Sequence, residues 1–275
     1  MDWRAEQNAD GGWAYSRGCS WTEPTVLVML AQLAFGVDRE SFDRGLRFLH
    51  SVEGRDGGWR PQPGVEESTW VTSLVALLPA EAIGPRRYQQ AIEWLKGQTG
   101  RESSWSWKLR QRLAGYKDDF PEGWPWFPGA AAWVIPTSLG ILAFERALRI
   151  REDSVLRERI AAGRQFLFSH MCADGGWNHG SSKALGRDGD SYPETTGIAL
   201  LALAGVPRNG QIGRALERAK AQIRTCRSAE GAAWLRMALA VHGESVQAGA
   251  DIRCRTNTDK ALTAIAASKR NPLLT

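Results

Sequence analysis

The chain has 275 residues, with 35 basic and 30 acidic side chains and a net charge of +5. Its arginines stand beside glutamates, as in Arg151-Glu152 and Leu216-Glu217-Arg218, which reads as a solvated face and argues against nucleic acid as a partner. Cys19, Cys172, Cys226 and Cys254 lack CxxC spacing, Met1-Asp2-Trp3-Arg4 has no leader pattern, and Ala130 to Phe144 falls short of the ~20 residues of a membrane span. A cytoplasmic protein with reduced thiols is therefore expected, with peripheral membrane contact left open.

The first element in chain order is a turn, Asp10-Gly11-Gly12-Trp13. It is followed by Glu23-Pro24-Thr25 and then by Val26-Leu27-Val28-Met29-Leu30-Ala31, a helix apolar on every side. Next comes an amphipathic helix ending in Phe48-Leu49, and the turn returns as Asp56-Gly57-Gly58-Trp59. Ser68-Thr69-Trp70 opens a second apolar helix through Leu74-Val75-Ala76-Leu77-Leu78. Arg86 to Leu95 is amphipathic again, and Ser103-Ser104-Trp105 fits the frame as a degraded turn, because Trp13, Trp59 and Trp105 stand 46 residues apart. An insertion carrying Trp124-Pro125-Trp126-Phe127-Pro128 follows, then an apolar helix from Ile135-Pro136-Thr137 to Phe144 and an amphipathic one ending in Phe166-Leu167. The turn appears once more at Asp174-Gly175-Gly176-Trp177, before Pro193-Glu194-Thr195-Thr196 and the apolar Ile198 to Leu203. A weaker apolar helix spans Ala232 to Ala240, and a spare amphipathic one spans Thr258 to Ala267.

Self-similarity at this period means one supersecondary unit used repeatedly. Each unit pairs a helix with one wet face and a helix with none, so the dry helices belong inside and the wet ones outside. The expected fold is all-α: an α/α toroid of about five helical hairpins in inner and outer layers. One domain is expected over 1–275, with the last helix, about 256–268, taking the vacant outer place and closing the ring.

With Gln7-Asn8-Ala9-Asp10-Gly11-Gly12-Trp13 and Asp174-Gly175-Gly176-Trp177 preceding dry helices, the chain resembles the terpenoid cyclase and prenyltransferase repeat family, squalene-hopene cyclases above all. That resemblance covers most of residues 7–240. It implies an isoprenoid or similar hydrophobic ligand in a central cavity, protonation of an alkene or epoxide, and ring closure through carbocations. Such chemistry needs an acid in a dry cavity and aromatic faces worth roughly 0.5–2 kcal/mol each to a passing cation.

The family's Asp-x-Asp-Asp acid motif is missing here. Aligned on the Thr before the apolar run, it falls on Tyr192-Pro193-Glu194-Thr195-Thr196, so Glu194 takes the place of the proton donor, with Asp188 and Asp190 just upstream. Carboxyls converging in one cavity repel, and burial raises one pKa, leaving a neutral acid. Glu23 stands at a comparable helix start, where complementing the helix dipole is the competing explanation. Trp21, Trp70, Trp124, Trp126, Trp133 and Trp234 lie at or near dry-helix starts and are the expected lining, against the alternative that they only pack helix ends. Asn178 and His179, in a glycine- and serine-rich segment, are expected at the cavity mouth with Tyr192. Trp13, Trp59 and Trp177 are structural.

No metal and no cofactor is expected. Prenyltransferase-type zinc would need a cysteine near Asp188-Gly189-Asp190 and a histidine at Ala232-Ala233, and neither is present. Asp118-Asp119 reads as a solvated turn. Two other functions compete: a binding toroid that has lost its acid, and a carbohydrate-active toroid working with two carboxylates and aromatic platforms.

Overall fold

A computed structural model describes residues 2–103, 113, 121–180, 183–184, 187–245 and 252–274; for 183–184 and 187–188 the description is of the backbone. The described helices are α1 (Thr22–Phe35), α2 (Arg39–Ser51), α3 (Val71–Val75), α4 (Ala80–Ile83), α5 (Pro85–Lys96), α6 (Val134–Ile150), α7 (Ser154–Ser169), α8 (Pro193–Ala202), α9 (Gly210–Thr225), α10 (Ala229–Val241) and α11 (Asn257–Ala267). The described strands are a two-residue antiparallel pair, Lys183–Ala184 with Arg187–Asp188.

The dry helices form a closed inner ring. In order, α1 packs on α3, α3 on α6, α6 on α8, α8 on α10, α10 on α11, and α11 back on α1. Helices α2, α5, α7 and α9 pack outside them. The segregation follows from the sequence: every residue from Thr195 to Ala202 of α8 is buried, whereas α2 buries Ser41, Phe42, Gly45, Phe48 and Leu49 along one stripe. Each fully buried Leu or Phe contributes ~1.5–3 kcal/mol to holding the layers together. Helices α8 and α10 approach closely. A Cβ on Gly197 would stand 2.5 Å from the Trp234 carbonyl carbon, so only glycine lets these backbones meet.

The repeated turn is a hydrogen-bonded corner. Its first glycine has positive φ (92° at Gly11, 88° at Gly57, 92° at Gly175), which a side chain would strain. The Asp carboxylate accepts from the second glycine N–H and from a downstream serine hydroxyl: Asp10 from Ser20 at 2.7 Å, Asp56 from Ser68 at 2.6 Å, Asp174 from Ser191 at 2.8 Å. The Trp amide then donates to the threonine of the next inner helix (Thr25, 2.9 Å; Thr72, 2.8 Å; Thr196, 3.1 Å). Its indole donates backwards, to the Leu49 carbonyl from Trp59 and the Leu167 carbonyl from Trp177.

Trp124 makes the same two bonds, to Thr137 Oγ1 at 2.9 Å and to the Leu95 carbonyl at 3.0 Å, and is 2 % exposed. It is therefore the fourth corner tryptophan and not part of the ligand lining expected for it. Trp105 lies outside the described residues. The insertion sits within the corner itself: the N–H to C=O bond that closes the turn at Gly54–Gly58 and Cys172–Gly176 here joins Gly100 to Gly123. Even spacing pointed to position 105 because it could not register an insertion inside the motif.

A second regularity concerns the helix starts. The outer helices α2, α7 and α9 carry side-chain caps from Asp38, Asp153 and Asn209. The inner α1, α3 and α6 have none, and their starts donate an N–H to the residue two past the next corner tryptophan: Thr22 to Pro61 (2.8 Å), Trp70 to Trp126 (3.0 Å), Val134 to His179 (2.9 Å). Asn257, the first residue of α11, donates likewise to Tyr15, two past Trp13, at 2.6 Å. Helix α11 thus stands in an inner place and runs parallel to the inner helices, where an outer place was expected. Asn257 adds a side-chain bond to the Ala14 carbonyl at 3.0 Å. Its amphipathic pattern was misleading because Lys260, on its wetter side, meets Glu6 of the short 3-10 turn Arg4–Glu6.

Candidate functional site

Parallel inner helices bring their N-termini to one pole, and a cavity of about 290 Å³ opens there. Five inner helices contribute one residue near the helix start and one a turn deeper: Glu23 and Leu27 from α1, Trp70 and Leu74 from the start of α3, Ile135 and Leu139 from α6, Glu194 and Ile198 from α8, Glu230 and Trp234 from α10. Trp126, from the enlarged corner, completes the wall. Residues four apart share a helix face, so each helix presents a short vertical stripe. The cavity is two-sided as a result. Glu194, Glu230 and Glu23 come from α8, α10 and α1, which are neighbours around the ring with α11 between the last two. The α3 and α6 side is aromatic and aliphatic.

Burial perturbs Glu230 and Glu23. Glu230 is pushed up to about 7, first by burial, then by repulsion from Glu23, Glu194 and Asp259, against a hydrogen bond with Trp234 that acts the other way. Burial also raises Glu23, opposed by the hydrogen bond it accepts from the Tyr15 hydroxyl. Protein atoms surround Glu23 deeply although it is only half-buried by exposed area, because that residual area faces the cavity. Tyr15 is raised well above its ordinary value by burial and by the charges of Glu23 and Glu230, so it remains a donor. Near neutral pH the site can therefore hold a protonated carboxylic acid at Glu230.

Of the residues singled out from sequence, Glu23, Trp70, Trp126, Glu194 and Trp234 line this cavity. The others stand elsewhere. Asp190 is exposed and is not in the lining, and the side chain of Asp188 is outside the described set. Trp21 bonds its amide to the Trp13 carbonyl and packs on Tyr15, ring centroids 5.6 Å apart. Trp133 is 36 % exposed and lies against the Gly180 backbone. His179 is exposed with its ring 5.4 Å from Tyr192, itself 46 % exposed, and Asn178 accepts from the Gly180 N–H at 3.2 Å. These form an outer shelf between the starts of α6 and α8, not the cavity wall. Among the described residues no three His, Cys, Asp or Glu side chains are grouped to hold a metal ion, the cavity glutamates included.

Sequence reasoning missed Glu230 and Tyr15. Glu230 follows Ser228, the helix cap, and precedes Trp234 by four, the same offset that separates Glu23 from Leu27 and Glu194 from Ile198. Helix α10 lacks the tryptophan corner that marked the other starts, so its beginning could not be aligned with theirs.

No protein-family profile and no curated protein matches the sequence. Solved structures do. The type II terpene cyclase MstE from Scytonema aligns at TM-score 0.56 and 19 % identity over 95 % of this chain and 72 % of its own. Endoglucanase Cel10, a family 8 glycosyl hydrolase from Klebsiella pneumoniae, aligns at 0.58 and 14 % over 96 % of each chain. A GH8 endo-beta-1,4-glucanase from an Achatina fulica gut metagenomic library aligns at 0.57 and 16 % over 94 % and 93 %. The protein is an all-α, α/α-toroid protein, a fold common to terpene cyclases and these glucanases. No helix among the described residues is long and apolar enough to cross a membrane.

Proposed function

We propose that the central cavity binds an isoprenoid-like hydrophobic ligand and starts its cyclisation by proton transfer from Glu230. The supporting observation is the pairing, in one small cavity, of a half-buried carboxyl raised to about 7 with Trp70, Trp126 and Trp234. The Glu230 carboxyl gives its proton to an alkene carbon or epoxide oxygen. The cation forms a carbon–carbon bond at the expense of a second alkene, and tryptophan faces stabilise the positive charge as it moves. Loss of one proton from the ligand, to the deprotonated Glu230 or through water in the cavity, ends the sequence, and one proton gained and one lost leave the mass of the ligand unchanged. Glu230 takes the donor role that the alignment gave to Glu194, with Asp188 and Asp190 upstream, because it lies in the cavity and its carboxyl is raised to about 7, so that a protonated fraction persists near neutral pH. The test is incubation with polyprenyl alcohols and epoxides, with chromatography for products of equal mass and altered retention. Wild type gives such products and Glu230→Gln loses them; bound ligand recovered unaltered throughout makes this a binding toroid.

A glycosidase reading is the runner-up, favoured by the nearly full-length likeness to the GH8 endoglucanases and by glutamates placed among tryptophans. The greasy half of the cavity weighs against it, since sugars need hydroxyl partners all round. Release of reducing ends from β-1,4-glucan, lost in Glu194→Gln and Glu230→Gln, would decide for it.

A further inference from the structure

The cavity's charge and size narrow its ligand further, on the reading that it is an isoprenoid site. We propose that it takes an uncharged, oxygen-bearing isoprenoid of about ten to fifteen carbons, oxygen against the glutamate wall, and excludes prenyl diphosphates and thirty-carbon chains.

Three observations carry this. Among the described residues that line the cavity there is no lysine, arginine or histidine, while three glutamates face it from α8, α10 and α1. A diphosphate carries several negative charges and would meet only carboxyls and apolar surface, with nothing to compensate its desolvation. The second observation is volume. About 290 Å³ is room for ~10 waters at ~30 Å³ each, and a carbon with its hydrogens needs a similar share, so about ten heavy atoms fill it and a fifteen-carbon chain reaches out through its open mouth. The third is the division of the walls. Trp70, Leu74, Trp126, Ile135 and Leu139 offer one end of a ligand only dispersion contacts, whereas Glu194 and Glu230 at the other require a partner. A protonated Glu230 donates a hydrogen bond to an oxygen and has no equivalent partner in a hydrocarbon. A carboxylic acid as mild as this one also transfers a proton more readily to an epoxide or hydroxyl oxygen than to alkene carbon.

Native mass spectrometry and calorimetry with geraniol, farnesol, farnesyl diphosphate and squalene test it. Farnesol or geraniol is expected to bind one to one, farnesyl diphosphate at least tenfold more weakly than farnesol, and squalene not at all. In Glu194→Gln the ratio of farnesol to farnesyl diphosphate affinity is expected to fall, and because the ratio is taken within one variant it controls for misfolding. Diphosphate binding equal to or tighter than farnesol overturns the charge argument, and squalene binding overturns the size argument; both leave the isoprenoid reading standing. If no compound of the four binds a protein whose circular dichroism is intact, the isoprenoid reading falls and this refinement with it.

Discussion

Replacing Glu230 by Gln tests the state of the cavity acid without knowledge of the ligand. The folded protein raises this carboxyl from 4.5 to about 7, so between those values the native state keeps a proton that the unfolded chain releases. The sign follows from linkage. The stability that this group contributes is fully present below pH 4.5 and is lost as the pH rises through 7. At ~1.36 kcal/mol for each tenfold change in proton affinity the loss is about 3 kcal/mol, or about 2 after allowance for the part of the carboxyl that meets cavity water. Glutamine cannot ionise and has none of this dependence. Urea denaturation followed by circular dichroism at pH 5 and pH 8 reads the difference directly. Relative to wild type, the variant should gain about 2–3 kcal/mol on going from pH 5 to pH 8. An offset equal at both pH values, or one that moves the other way, refutes the claim that Glu230 is held protonated by its surroundings.

Tyr15→Phe removes the hydroxyl that favours the ionised form of Glu23. Less negative charge then faces Glu230, whose carbon-13 carboxyl titration should move down although Tyr15 is not part of the wall; Glu23→Gln should move it further, each by less than burial alone accounts for. Trp124→Ala should cost about 3–5 kcal/mol in denaturant unfolding, as for a fully buried corner side chain, while Trp126→Ala should cost much less and act on ligand binding. Comparable costs for the two would contradict the assignment of Trp124 to the corner. Gly197→Ala should destabilise by at least the ~1–3 kcal/mol of an overpacked core, because the new methyl meets the Trp234 backbone; a neutral result in thermal melts would show that α8 and α10 are not so close.

The layering of the fold was legible because it depends on periodicity alone. Val26–Ala31 and Ile198–Leu203 have no wet side, so they had to be inside, and three Asp-Gly-Gly-Trp turns fixed where each unit begins. Two elements were misplaced for physical reasons. Trp105 was chosen over Trp124 because the enlarged corner keeps its closing bond, Gly100 to Gly123, across an insertion that spacing cannot detect. Helix α11 has the composition of an outer helix, yet Asn257 makes the inner-helix bond to Tyr15, a tertiary contact spanning almost the whole chain. At the site, Glu23, Glu194 and the tryptophans Trp70, Trp126 and Trp234 could be proposed from their positions at helix starts. Glu230 and Tyr15 could not, since their importance lies in what faces them across the ring. Asn178 and His179 were expected at the mouth because their segment is rich in glycine and serine, whereas with Tyr192 they stand on the outer shelf beside Trp133.

The most direct measurement is a carboxyl titration of Glu230 by carbon-13 NMR in selectively labelled protein, repeated after addition of farnesol. The account predicts a midpoint near 7 in the free protein and a further rise when the ligand displaces the remaining water from the cavity. A midpoint near 4.5, unmoved by farnesol, would mean that the three glutamates are ordinary solvated carboxylates and that the pole of the ring is not an acid site.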